Sequence, residues 1–303
     1  MTSDPPRRKS DRNDELTERV RSLVESEAYR LVTDDPDFLE LDELRSVRLQ
    51  LEYLKPERMM QKEGVRSTVV VFGSARLSSR RELDEEIEKT RSGLKKMPSS
   101  KTLLARLEIL EKRKNYTKYY DEAQQFASIV SRKFQTNKRR DFVVVTGGGP
   151  GIMEAANRGA DDVGARSIGL NIDIPKEQAP NAYITENLCF RFRYFALRKL
   201  HFLVRARALV AFPGGFGTLD ELFEVLTLIQ TGKMQCIPVI LFGSSYWSRA
   251  VDFDYLANEG FIAAEDLSLF EIVDSAEDAM QAISRFYKGK IPEQATRKNG
   301  VFD

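Results

Sequence analysis

Residues 209–230 read Leu-Val-Ala-Phe-Pro-Gly-Gly-Phe-Gly-Thr-Leu-Asp-Glu-Leu-Phe-Glu-Val-Leu-Thr-Leu-Ile-Gln, an order that few local structures accommodate. The apolar run from Ala208 to Phe212 has the length and makeup of a buried strand. Pro213 ends it, because proline cannot donate to a ladder. Gly214, Gly215 and Gly217 permit a tight turn with bare backbone N–H groups. Thr218 stands where a helix N-cap is expected, and Glu221, three residues on, completes the spacing of a capping box. Leu222, Phe223, Val225, Leu226 and Ile229 then recur at helical intervals. A strand, a glycine turn and a helix N-terminus together form an anion site, since free N–H groups and the positive end of the helix dipole converge on one point. A capped βα turn alone would use the same glycines. A second glycine turn upstream favours a phosphate site.

Composition narrows the alternatives. The 47 basic and 46 acidic residues nearly cancel, so no nucleic-acid surface built on net charge is expected. Cys189 and Cys236 are isolated in apolar contexts, which fits a reducing cytosol rather than a disulfide framework. No apolar run reaches membrane-spanning length, so a cytoplasmic protein is expected. The single histidine, His201, excludes multi-histidine metal sites and reads as a core residue of a helix over Phe195–Val204; no metal is expected.

Taken in order, the chain opens with a polar segment, Met1 to about Asn13, expected to be loose. Two helical patterns follow to about Met60, broken near Thr33–Pro36, with Asp34 or Asp35 as N-cap and Pro36 in the first turn. This arm, residues 1–65, is too charged to build its own core. A first strand, Ser67–Phe72, runs into Gly73, Ser74 and Arg76, where Ser74 and Arg76 are within reach of a ligand. A charged helical insertion at about 80–115, with a hairpin tip at Pro98–Ser100, reads as a solvated excursion, and Tyr116–Phe134 as a helix returning to the sheet. The second strand, Phe142–Thr146, enters a turn from Gly147 to Gly151 and then a helix. That turn lacks the Lys-Ser/Thr of a P-loop, and Asn171 ends the third strand, Ser167–Asn171, where a dinucleotide site has an acid; a nicotinamide cofactor is disfavoured and no cofactor is expected. Arg198 and Lys199 lie in an aromatic helix just before the glycine strand. Strands at Ile237–Phe242 and Leu269–Val273 and a helix over Ala276–Tyr287 complete a doubly wound, Rossmann-like α/β domain with a parallel sheet over residues 66–292, followed by a polar tail at 293–303.

Three motifs together, Pro213–Glu221, Arg198-Lys199 and Gly147–Asn157, resemble the LONELY GUY (LOG) family of cytokinin riboside 5′-monophosphate phosphoribohydrolases, in its longer bacterial branch, over about Ser67–Tyr287. The resemblance implies hydrolysis of the N-glycosidic bond of a nucleoside 5′-monophosphate to free base and ribose 5-phosphate. It implies Glu221 and Arg198 as catalytic residues and Gly214, Gly215, Gly217 and Thr218 as the phosphate site. It implies Lys199, Ser74, Gly149, Met153 and Glu177 around ribose and base, and a homodimer or larger assembly. A decarboxylase label sometimes given to this family fits poorly, because Lys199 has no recognisable setting for a pyridoxal Schiff base. A carrier or sensor of nucleotide or molybdenum cofactor is the alternative of a different class; such a module needs the glycine loop but not an acid beside the ribose.

Overall fold

The structure is a computed structural model that describes residues 9–135, 140–173 and 179–290. The chain divides into two units, residues 1–52 and 53–303. The first contains α1 (Lys9–Val24), α2 (Pro36–Leu39) and the start of α3 (Arg45–Lys62), joined by short 3₁₀ turns. Of the two candidate caps, Asp35 is the one that caps α2, accepting from the Phe38 N–H at 3.1 Å with Pro36 at the first helical position. Of the segment expected to be loose to about Asn13, residues 9–13 are helical. Helix begins at Lys9, where neither glycine nor proline interrupts the chain, and residues 1–8 lie outside the described residues.

The second unit is built on one seven-stranded sheet, all parallel, in the order β4-β3-β2-β1-β5-β6-β7. Its strands are β1 (Thr68–Phe72), β2 (Val143–Thr146), β3 (Ser167–Ile172), β4 (Cys189–Phe192), β5 (Ala206–Ala211), β6 (Val239–Phe242) and β7 (Phe270–Val273). Between β1 and β2 come α4 (Arg80–Lys96), α5 (Lys101–Arg113) and α6 (Lys118–Phe134); α7 (Ile152–Asp161) follows β2, α8 (Phe195–Leu203) follows β4, and α9 (Phe216–Gln230) follows β5. The last helices are α10 (Ser244–Ala250), α11 (Phe253–Asn258) and α12 (Ala276–Phe286). β4 is absent from the sequence reading. Its exposed and buried residues alternate, with Phe190 and Phe192 inward and Cys189 and Arg191 outward, as an edge strand requires. Four residues are too few to separate that alternation from the aromatic helix that follows. Both cysteines are exposed, contrary to their apolar neighbours in sequence.

Alternation along β1 fills both faces: Val69 and Val71 pack under α6, α7 and α12, while Val70 and Phe72 pack on the side of Phe202, Leu222 and Trp247. His201 is a core residue, 3% exposed, stacked on Tyr53 with its Nδ1 at 3.5 Å from Glu57 Oε1. Burial alone would raise the Glu57 carboxyl, yet donors from His201 and Arg205 bring it down to about 2. Among the described residues no helix is long and apolar enough to cross a membrane.

The strand order reverses between β1 and β5, so their carboxyl ends open the crevice where doubly wound sheets bind ligands. The chain holds those two ends together: Phe212 N–H donates to Phe72 O at 2.8 Å, and Ser74 N–H to Pro213 O at 3.0 Å. Behind the crevice, α7 approaches α6 so closely that a Cβ on Gly159 would lie 2.0 Å from the Gln124 carbonyl oxygen. Gly159→Ala is therefore expected to destabilise the protein by about 1–3 kcal/mol, through backbone overlap rather than lost contacts. Urea denaturation at unchanged slope measures this, and an unaltered midpoint would contradict the packing described.

Candidate active site

Two glycine turns meet at the crevice. In the first, Gly151 has φ +76°, and a Cβ there would lie 2.4 Å from the Ser74 carbonyl oxygen, so only glycine lets α7 start against the β1 turn. Ser74 ties the two: its carbonyl accepts from the Ile152 N–H at 3.1 Å, and its hydroxyl accepts from the Arg76 N–H at 3.1 Å. A buried polar network holds the rest of the turn. Thr146 Oγ1 donates to Asn157 Oδ1 (2.7 Å) and accepts from the Gly148 N–H (3.0 Å), while Asn181 Nδ2 donates to the Gly149 carbonyl (3.0 Å).

In the second turn the structure corrects the capping assignment. α9 begins at Phe216 with Gly215 as N-cap, three residues before the N-cap position expected at Thr218. Thr218 is instead inside the first turn, where a Cβ on Gly214 would fall 2.0 Å from its Oγ1. The threonine packs back onto the loop and makes no side-chain cap. Glu221, three residues on, shares its face of the helix and points inward rather than reaching back to a cap. The amides of Gly215, Phe216 and Gly217 have no backbone acceptor among the described residues. Gly215 and Gly217 both line the cleft, and nothing lies within 4 Å of where a Cβ on either would be.

These elements wall a cleft of about 870 Å³, within the ~300–1,000 Å³ range typical of small-molecule sites. Ser74, Met153, Arg198, Gly214, Gly215, Gly217, Thr218 and Glu221 all line it, so most of the expected site residues come together. Gly149 stands behind the wall, leaving room for the Met153 Cε that a Cβ would meet at 2.9 Å. Lys199 is not among the residues that line the cleft. Its Nζ lies 2.7 Å from Asp220, 3.1 Å from Glu224 and 3.9 Å from Glu221. Glu177 lies outside the described residues.

Arg198 and Glu221 form the electrostatic centre. The Arg198 guanidinium runs between the rings of Phe195 and Phe202, 5.4 Å from each centroid, and against Gly147, whose absent Cβ would be 3.1 Å from its Nη2. Its Nε is buried without a partner among the described residues. Burial draws its pKa down and Glu221 opposes this. Glu221 is 4% exposed, and burial lifts its carboxyl to about 7 despite Lys199 and Arg198 nearby; Glu224 and Asp220 push in the same direction as burial. A buried group with this setting can carry negative charge at neutral pH and exchange a proton there.

Sequence reasoning missed Tyr246, Arg113, Tyr116 and Ile109 on the same cleft. Tyr246 donates its hydroxyl to the Gly214 carbonyl, and the neighbouring Trp247 is anchored through Nε1 to the Ala211 and Phe242 carbonyls at 3.2 and 3.1 Å. Ile109, Arg113 and Tyr116 follow i, i+4, i+7 spacing, a readable signal that one face of the insertion has a use. The insertion is therefore more than a solvated excursion.

The elevated Glu221 carboxyl has a thermodynamic consequence. Its folded value lies above the ordinary 4.5, so between about pH 4.5 and 7 the native state binds more protons and stability falls as pH rises. Ionised, the group costs the fold about 3 kcal/mol at about 1.4 kcal/mol per pH unit. Glu221→Gln should raise the melting temperature at pH 8 and do so less at pH 5. An equal effect at both values would show a carboxyl of ordinary acidity.

The family model described as "Possible lysine decarboxylase" matches residues 153–283. Among curated proteins, the chain is 29% identical over 175 residues to cytokinin riboside 5′-monophosphate phosphoribohydrolase LOG2 of Arabidopsis thaliana, covering 57% of this chain and 78% of that protein. It is 32% identical over 151 residues to LOG3 of the same plant and the same activity by name, covering 48% and 67%. Among solved structures, a Moco carrier protein from Chlamydomonas reinhardtii aligns at 16% identity with a TM-score of 0.40, over 74% of this chain and 100% of its own.

Proposed function

The chain belongs to the LOG family, and from that premise we propose that it is a nucleoside 5′-monophosphate phosphoribohydrolase, cleaving AMP-like nucleotides, prenylated ones included, to free base and ribose 5-phosphate. One observation carries the reading: a buried carboxylate, Glu221, sits one helical turn from the open amides of Gly215–Gly217, with Arg198 beside it in the same cleft.

The chemistry follows from those positions. Amides at the N-terminus of α9 and the Thr218 hydroxyl receive the 5′-phosphate, which fixes the ribose over the next turn of the helix. As the bond from C1′ to the base nitrogen lengthens, positive charge grows on the ribose ring, and ionised Glu221 stabilises it. The same carboxylate takes a proton from the attacking water, whose oxygen bonds to C1′, and the departing base regains that proton. Arg198 counters charge on the phosphate or on the leaving nitrogen. Assembly into a homodimer or larger belongs to the same reading. Phe216, 92% exposed at the cleft mouth, is an apolar surface that association would cover.

The residues do not fit pyridoxal chemistry. A Schiff-base lysine must be neutral, whereas Lys199, although burial lowers its pKa, is raised overall by Asp220, Glu221 and Glu224.

Incubation with AMP, GMP, CMP and isopentenyladenosine monophosphate, with released base followed by chromatography, tests the proposal. Base release is expected, lost by about 10²-fold or more in Glu221→Gln with nucleotide affinity retained. In the active protein kcat should rise with pH through about 7, as Glu221 ionises. Nucleotide binding without base release would instead indicate a carrier or sensor.

A further inference from the structure

The helical insertion presents its charges unevenly. Of its arginines, Arg80, Arg81, Arg91 and Arg106 pair with Asp84, Glu85, Glu88 or Glu111, and Glu86. Arg113, the last residue of α5, has no hydrogen bond or ion pair among the described residues, and it lines the cleft. No carboxylate stands at helical spacing from it; those positions hold Ile109, Leu110, Tyr116 and Thr117. Arg76, likewise without a side-chain partner among the described residues, lines the same cleft from the β1 turn.

The end of the insertion lines the same cleft as the glycine loop, through Ile109 and Arg113. Tyr116 lies on the same face as Arg113 and close enough to Tyr246 to act electrostatically on its phenol, while Tyr246 donates to the Gly214 carbonyl. Arg113 thus lines the same cleft as the open amides of α9. In a cleft lined mostly by apolar side chains, an unpaired guanidinium is poorly compensated until an anion arrives.

We propose that Arg113, assisted by Arg76, is a specificity-determining residue that closes the anion site over the 5′-phosphate. The insertion thereby makes the protein select nucleoside 5′-phosphates over nucleosides. This rests on the reading of the cleft as a nucleotide site, not on turnover within it.

Calorimetry on the full chain with AMP and with adenosine tests the inference, using Arg113→Ala, Arg113→Gln and Arg113→Lys. The two neutral variants should weaken AMP binding by about tenfold or more while adenosine binding and the ligand-free melting temperature stay unchanged, and lysine should recover part of the loss. Base release measured on the same samples separates the two claims. Unchanged AMP affinity in the neutral variants, or equal losses for AMP and adenosine, would overturn the role of Arg113 whether or not the protein turns over. Selective loss of AMP binding in a protein that never releases base would uphold it and refute the hydrolase.

Discussion

A carboxylate buried at the start of a helix, beside an arginine that is itself half-buried, is the arrangement around which the crevice is built. Glu221 cannot be hydrated there, so its charge depends on Arg198, on Lys199 and on the positive end of α9. Removing any of these would push the carboxyl further toward its neutral form. The folded state tolerates an ionised group at neutral pH that a glutamine would replace without penalty, the pattern expected where stability is given up for chemistry. Lys199 has a definite part in this. It bridges Asp220, Glu224 and Glu221, and so moderates the carboxyl without entering the cleft.

The glycines divide according to what surrounds them. Gly151 and Gly214 are required by close contacts with the Ser74 carbonyl and with Thr218. Gly215 and Gly217 border open space, so packing within the chain does not demand them. On the proposed reading, their value lies in leaving amides bare toward a ligand. Structural necessity thus explains how the two loops are held together, and the proposed phosphate site accounts for the remaining glycines. Tyr246 and the Thr146–Asn157–Asn181 network then keep both loops from collapsing into the cleft.

Much of this was legible in the sequence. Continuous β-branched runs such as Val69–Val71 and Val143–Val145 announce strands buried on both faces, and the glycine turns mark their carboxyl ends. The start of α2 near Pro36, capped at Asp34 or Asp35, and the hairpin tip at Pro98–Ser100 were readable from capping and breaker chemistry alone. What could not be read were distances across the fold. The Thr218–Glu221 spacing suits a capping box equally well in sequence, and only the start of α9 at Phe216 shows that both side chains are inside the helix. Arg198 and Lys199 are neighbours in sequence, yet one turns into the cleft and the other onto α9. That Arg113 lines the cleft depends on where a long insertion returns to the sheet, a placement no local pattern encodes.

The most direct test is a crystal structure of the Glu221→Gln protein soaked with AMP. The account predicts the phosphate on the Gly215–Gly217 amides and Thr218, with C1′ facing residue 221 and Arg198 in contact with the nucleotide. A nucleotide bound with its phosphate away from the α9 N-terminus, or with residue 221 remote from C1′, would contradict it.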